Sequence, residues 1–167
     1  FGSAIRILIC YATAGAGHRR AAEAIAEAAR ARWPSAQVDC ADVLDHTPRW
    51  FHAFYSWSYL FLVQHAPWIW YVSYNLLDLG AVYGWFRPLR RAWNLLITAR
   101  FVRWLRSDPP DVVVAAHFLP ADVCSAGKRA GWLGTPLVIV VTDWHPHWFW
   151  MTADAEAIVL ATDEGAR

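Results

Sequence analysis

Apolar positions follow a short rhythm at both ends of the chain and a longer one between. Ile5–Tyr11 (IRILICY) is an apolar run with Arg6 as its only charge, the pattern of a strand covered on both faces. A loop of small residues, Ala12-Thr13-Ala14-Gly15-Ala16-Gly17, follows it. His18–Arg32 then places Ala22, Ile25, Ala26 and Ala29 on one stripe, which predicts a helix that Trp33-Pro34-Ser35 stops. Further strands are expected at Gln37–Val43, Asp111–Ala116, Pro136–Thr142 and Ala157–Ala161, with a helix at Pro120–Ala130 closed by Gly131. Strands alternating with helices predict an α/β fold, a Rossmann-like parallel sheet flanked by helices.

The segment between the second and third strands differs in kind. Positions 50–104 hold seventeen of the chain's twenty-six aromatic residues, and no Asp, Glu, Lys or Arg occurs from Trp50 to Leu77. That stretch is long enough to suggest a membrane span. Gln64, His65 and Pro67 interrupt it, however, and its Trp and Tyr are spread through it instead of forming two end belts. Two or three short apolar helices at an interface fit better. From Gly84 onward a single helix is expected, with Phe86, Leu89, Trp93, Leu96, Ile97 and Trp104 on one face and Arg87, Arg90, Arg91, Asn94 and Thr98 on the other. A basic amphipathic helix with Trp on its apolar side suits the headgroup layer of an anionic membrane. Trp57, Trp68, Trp70, Trp85, Phe86, Arg87, Arg90, Arg91 and Trp93 are therefore the expected membrane-binding residues.

Composition sharpens these expectations. At 167 residues, 57% hydrophobic and 17% charged, the chain suits one domain, 1–167, carrying a helical membrane-associating insert at about 48–106. Intrinsic disorder is excluded. Fifteen basic and fourteen acidic residues leave no global field for a polyanion, and no recognition motif accompanies the clustered arginines, so nucleic acid is not an expected partner. Cys10, Cys40 and Cys124 lack CxxC spacing and are expected as buried, reduced thiols. No signal-peptide pattern precedes the first strand, which leads to the expectation of a cytoplasmic protein.

Candidate chemistry gathers at the strand ends. Gly15 and Gly17 let the backbone turn and let a ligand approach the amides opening the first helix. Arg20 stands where a dinucleotide fingerprint would have its third glycine, and no Gly-Lys-Ser/Thr follows, so a P-loop is excluded. His18 sits in the first helical turn, where the helix dipole disfavours the imidazolium and leaves a base able to accept a proton. His117 follows the third strand; Asp143 follows the fourth, and His147 lies four residues on. In open parallel sheets ligands bind beyond the carboxyl ends of the strands, where His18, His117, Asp143 and His147 are expected to converge. Three His and one Asp also suit zinc, but their separation specifies no geometry and no Cys joins them, so no metal is assigned.

The order of strand, Gly15-x-Gly17-His18 and helix, an aromatic insert, Asp111-Val112-Val113-Val114 leading to His117, Val141-Thr142-Asp143 with His147, and Ala161-Thr162-Asp163 resembles the N-terminal domain of the diacylglycerol glycosyltransferases. That family comprises monogalactosyldiacylglycerol synthases and processive diacylglycerol glucosyltransferases, with the lipid II synthases as more distant relations. The resemblance implies the acceptor-binding, membrane-docking half of an inverting, UDP-sugar-dependent GT-B enzyme that transfers a hexose to diacylglycerol. The UDP-sugar is then a donor substrate, with no resident cofactor and no DxD-bound metal. His18 and Asp143 become the catalytic candidates, with Gly15 and Gly17 near the donor phosphates and His117, His147 and Trp148 lining the acceptor side. Partners implied are diacylglycerol or a related lipid, an anionic membrane surface, and a C-terminal donor domain, expected after position 167 or on a second chain. The location implied is the cytoplasmic face of the cell membrane, peripheral or monotopic. Two other readings stand beside this one: a non-catalytic membrane-surface module, and a lone Rossmann-type nucleotide binder.

Overall fold

The computed structural model describes residues 4–13, 15–143 and 147–161; the side chain of Trp70 and the Thr162-Asp163 pair of the last motif lie outside the described set. Five parallel strands, β1 (Arg6–Tyr11), β2 (Gln37–Asp42), β3 (Val112–Ala115), β4 (Leu137–Val140) and β5 (Ala157–Val159), form one sheet in the order β2-β1-β3-β4-β5. The expected strands are all present, one to three residues shorter than the stretches that predict them. Their side chains alternate between two cores, as the twofold period of a strand requires. Leu8, Cys10, Val113, Ala115, Leu137 and Ile139 pack on one face beneath the later helices. Ile7, Ile9, Tyr11, Val38 and Val114 face α1 (Ala16–Arg32) on the other.

Helix α1 buries Ala22, Ala26 and Ala29, whose small side chains let its backbone approach the sheet closely. The β3–β4 crossover helix α6 (Phe118–Arg129) opens on His117, whose Nδ1 accepts the Leu119 N–H at 3.0 Å. It closes at Gly131, φ +73°, a left-handed position that favours glycine. Within α6, a Cβ at Gly127 would lie 2.6 Å from the Trp132 ring, so packing excludes any side chain there.

Between β2 and β3 a 3-10 turn (Val43–His46) leads into α2 (Arg49–His65), α3 (Pro67–Leu77), α4 (Gly80–Ile97) and α5 (Ala99–Ser107), in place of an ordinary crossover. The long helix expected from Gly84 to Trp104 is two helices, broken at Thr98, whose hydroxyl donates back to the Asn94 carbonyl at 2.6 Å. After the break Phe101 and Leu105 turn into the core, and Trp104 stacks on His46 with ring centroids 5.0 Å apart. Along α2, α3 and α4 the outward positions are Trp50, Phe54, Trp57, Leu60, Trp68, Tyr71, Leu76, Trp85, Leu89, Trp93 and Leu96, all exposed. Among the described residues no helix is long and apolar enough to cross a membrane.

Two expectations change here. Arg90 does not lie on an outer polar face: it is 7% exposed, with Nη2 donating to Tyr83 Oη at 3.1 Å and lying 3.2 Å from Asp122 Oδ1. Its guanidinium covers the Phe149 ring at 4.6 Å. Arg91 turns toward the same Asp122, and Asn94 donates to the other carboxylate oxygen at 2.8 Å. The cause is Asp122, a carboxylate on the buried side of α6 that a single cation-rich helix can neutralise. Among the thiols, Cys10 and Cys124 are buried but Cys40 is exposed, because β2 is an edge strand.

Candidate active site

At the carboxyl edge of the sheet, Gly15, Gly17, His18, Ala21, Tyr59, Thr142 and Asp143 line a cleft of about 290 Å³. The order β1-β3-β4 brings the β1–α1 loop to the same edge of the sheet as the residues that follow β4. The insert contributes Tyr59 from α2, and Ser56 one turn earlier fastens α2 to the loop by donating to the Thr13 carbonyl at 3.0 Å. The glycines leave room and do not relieve a strained turn. Gly15 is extended (φ −154°), a Cβ on it would only touch Tyr59, and one on Gly17 would meet nothing.

His18 stands in the first turn of α1, with Nδ1 2.6 Å from Thr142 Oγ1. Burial pushes its imidazole below the ordinary value, while the charge of Asp143 and the backbone at Ala116 pull the other way. The His117 ring meets it edge to face, centroids 4.6 Å apart. Asp143 is held by the indole N–H of Trp150, which donates to Oδ2 at 2.6 Å. Tyr74 is pushed up to about 12 by burial, helped by the negative charges of Asp143 and Asp78. The arrangement offers one neutral imidazole at an open cleft, with a carboxylate near enough to stabilise it once protonated.

Of the expected residues, His18, Asp143, Gly15 and Gly17 come together at the cleft. His117 does not line it: at 1% exposure it sits behind His18, its Nδ1 used by α6, its Nε2 3.5 Å from the Tyr55 hydroxyl. Desolvation holds its imidazole well below the usual range, and His18 and Arg90 push the same way. His147 does not converge on the site either. It is 2% exposed, with Nε2 3.0 Å from the Tyr74 carbonyl and Nδ1 accepting the Phe149 N–H, and so fastens the loop after β4 to α3. Trp148 lies over Gly80 at the start of α4, its N–H donating to Asp78. The sequence carries no rule that separates such capping histidines from catalytic ones. Thr142, Tyr59 and Trp150 join the site without having been singled out, although Thr142 stands directly before Asp143. Among the described residues no cluster of three or more His, Cys, Asp or Glu is placed to hold a metal ion.

Beside this cleft, with its one base candidate and Tyr59 from the aromatic insert, stands the family comparison: the profile of monogalactosyldiacylglycerol synthase matches residues 18–167. The chain belongs to the monogalactosyldiacylglycerol synthase family. No curated protein and no solved structure matches it. Family membership makes this chain part of a glycosyltransferase lineage that acts on diacylglycerol-type lipids and makes glycolipids. The match opens at His18, so the base candidate is its first residue and the remainder of the described cleft wall, apart from Gly15 and Gly17, lies inside it.

Proposed function

We propose that the domain is the acceptor-side half of a GT-B enzyme that transfers a hexose from a UDP-sugar to diacylglycerol with inversion, docked on the cytoplasmic face of an anionic membrane. The observation that carries this reading is the partly buried His18 imidazole, kept below its usual pKa in a cleft whose wall includes Tyr59 of the aromatic insert. At neutral pH such an imidazole is unprotonated and can take the proton from the lipid hydroxyl. As that proton moves to His18, the hydroxyl oxygen bonds to the anomeric carbon from the face opposite UDP. The bond from that carbon to the phosphate oxygen breaks, and its electron pair leaves on UDP. The Asp143 carboxylate stabilises the imidazolium. The donor is held mainly by a donor-binding domain or chain across the cleft, with Gly15 and Gly17 giving its phosphates backbone access. The apolar outer faces of α2, α3 and α4 rest in the lipid interface, so the acceptor reaches the base without fully leaving the bilayer.

Glycolipid formation from UDP-sugar and diacylglycerol in liposomes, measured for the full enzyme and its His18→Ala variant, tests the proposal. Loss of roughly 100-fold or more in kcat is expected for removal of a general base. Unchanged turnover removes His18 from the chemistry.

A further inference from the structure

Trp150 stands behind the cleft yet holds one of the groups that line it. Its ring is buried in the core, perpendicular to Phe118 and with its centroid 6.4 Å from that of His18. Its indole N–H donates to Asp143 Oδ2 at 2.6 Å, a charge-assisted bond whose direction is fixed because indole carries a donor and no acceptor. Asp143 shares the cleft with His18, and its charge acts on the imidazole. Among the described residues, however, no ion pair or hydrogen bond joins the two side chains. Around the His18 ring stand the Thr142 hydroxyl, 2.6 Å from Nδ1, the Ala116 carbonyl, which accepts from the ring, and His117, which meets it edge to face. Tyr59 lines the same cleft, and Tyr55 and Tyr74 are near enough to Asp143 for its charge to raise them. Arg90 acts on His117 and Tyr55 behind them.

We infer that Trp150 is the positioning residue of Asp143: its buried indole N–H holds the carboxylate beside His18 but off it, close enough to act on an imidazolium and short of a standing ion pair. The inference rests on the reading of His18 as the base. A carboxylate in direct contact with an imidazole favours the protonated ring and would leave the base occupied at rest. A carboxylate turned away into solvent would give the imidazolium little as the proton arrives. A donor anchored in the core keeps one oxygen between these extremes, and does so before the reaction begins. Trp150 cannot follow the carboxylate, because its ring is 1% exposed and its backbone N–H donates to the His147 carbonyl at 2.9 Å.

Two measurements on the full enzyme test this. In nitrogen-15 NMR the Trp150 indole signal should move as Asp143 titrates and again in Asp143→Ala. A signal indifferent to both overturns the inference, even where variants of Trp150 itself fail to fold. Trp150→Phe keeps a ring in the core and removes the N–H. Its released carboxylate should pair with His18 and raise the imidazole pKa by about one unit or more, the effect of a close opposite charge. The acidic limb of kcat against pH should move up with it, an approximately tenfold loss on that side that vanishes above neutral pH, with KM within about twofold. A loss uniform across pH, or a His18 pKa unchanged or lowered in the folded variant, leaves Trp150 a packing residue only. Full transfer activity in His18→Ala would remove the base while leaving the NMR shifts to stand, so the two readings fail separately.

Discussion

Helices α1 and α4 have opposite insides. Helix α1 buries three alanines and turns Arg19, Arg20, Glu23 and Glu27 to solvent, as a helix beside water should. Helix α4 buries Arg90 and Asn94 together with Tyr83 and Ile97, and turns Trp85, Leu89, Trp93 and Leu96 outward, Trp85 at 83% exposure. Both are amphipathic and similar in length; their outer media differ. An outward row of indoles and leucines over a buried ion pair costs free energy in water and gains it against lipid, so α4 is the element on which membrane docking is best tested.

The largest expected effect comes from breaking the inner side of α4. Asp122→Ala leaves Arg90 buried without its counter-charge, which should cost about 3–5 kcal/mol in urea unfolding. Glu27→Ala, on the outer side of α1, should stay within about 0.5 kcal/mol. Equal effects would mean that α4 is not rooted through Asp122, and the contrast between the two helices would fail.

Next is the outer side. Transfer of one large apolar side chain from water is worth about 1.5–3 kcal/mol. Trp85→Ser with Leu89→Ser should therefore weaken vesicle partitioning by about 100-fold or more, while urea stability barely changes. Unchanged partitioning would leave the exposed row of α4 without a bilayer role.

How far this contrast was readable beforehand follows from what each signal encodes. The sheet was legible because a buried parallel strand reads as a short apolar run, as at β1, β3 and β4, while the edge strand β2 showed only a partial alternation broken by Asp39 and Asp42. His18, Gly15, Gly17 and Asp143 were legible because topology alone sends strand ends to one edge. The fate of Arg90 was not. A helical wheel gives the angle of a side chain but cannot tell which face turns inward, and that depended on Asp122 thirty-two residues later. The surroundings of His147 and His117 were not legible either, since an imidazole that accepts an amide proton at a helix start is written in the same letter as one that accepts a substrate proton. The break at Thr98 had only a side-chain hydroxyl to announce it.

Behind the cleft the same inside–outside distinction is titratable. The folded protein holds His117 neutral well below its ordinary value of 6.5, whereas the unfolded chain binds a proton there normally. Below about pH 6.5 the unfolded state thus carries more protons, so stability falls as pH falls, by up to about 1.4 kcal/mol per pH unit for this one group. His117→Asn keeps an acceptor for the Leu119 amide but cannot titrate. Its urea stability, followed from pH 7.5 to 5, should decline less steeply than that of the wild type. Parallel curves would show that His117 takes up its proton without unfolding.

The smallest effect belongs to the arginines that remain outside. Arg100 and Arg103 on α5 are exposed, unlike Arg90, so their contribution is a matter of surface charge alone. A basic side chain near an anionic leaflet contributes about 1 kcal/mol, and salt screens it within a Debye length. Arg100→Gln with Arg103→Gln should lower binding to anionic vesicles by roughly 30-fold at low ionic strength. The loss should shrink markedly at high salt and be absent on zwitterionic vesicles. Sedimentation at two salt concentrations separates this from the apolar term, because the Trp85→Ser, Leu89→Ser loss should persist on both lipids and in both salts. If the two variant pairs respond to salt alike, the outer side of the insert works by charge throughout, and the apolar row of α4 awaits something other than a bilayer.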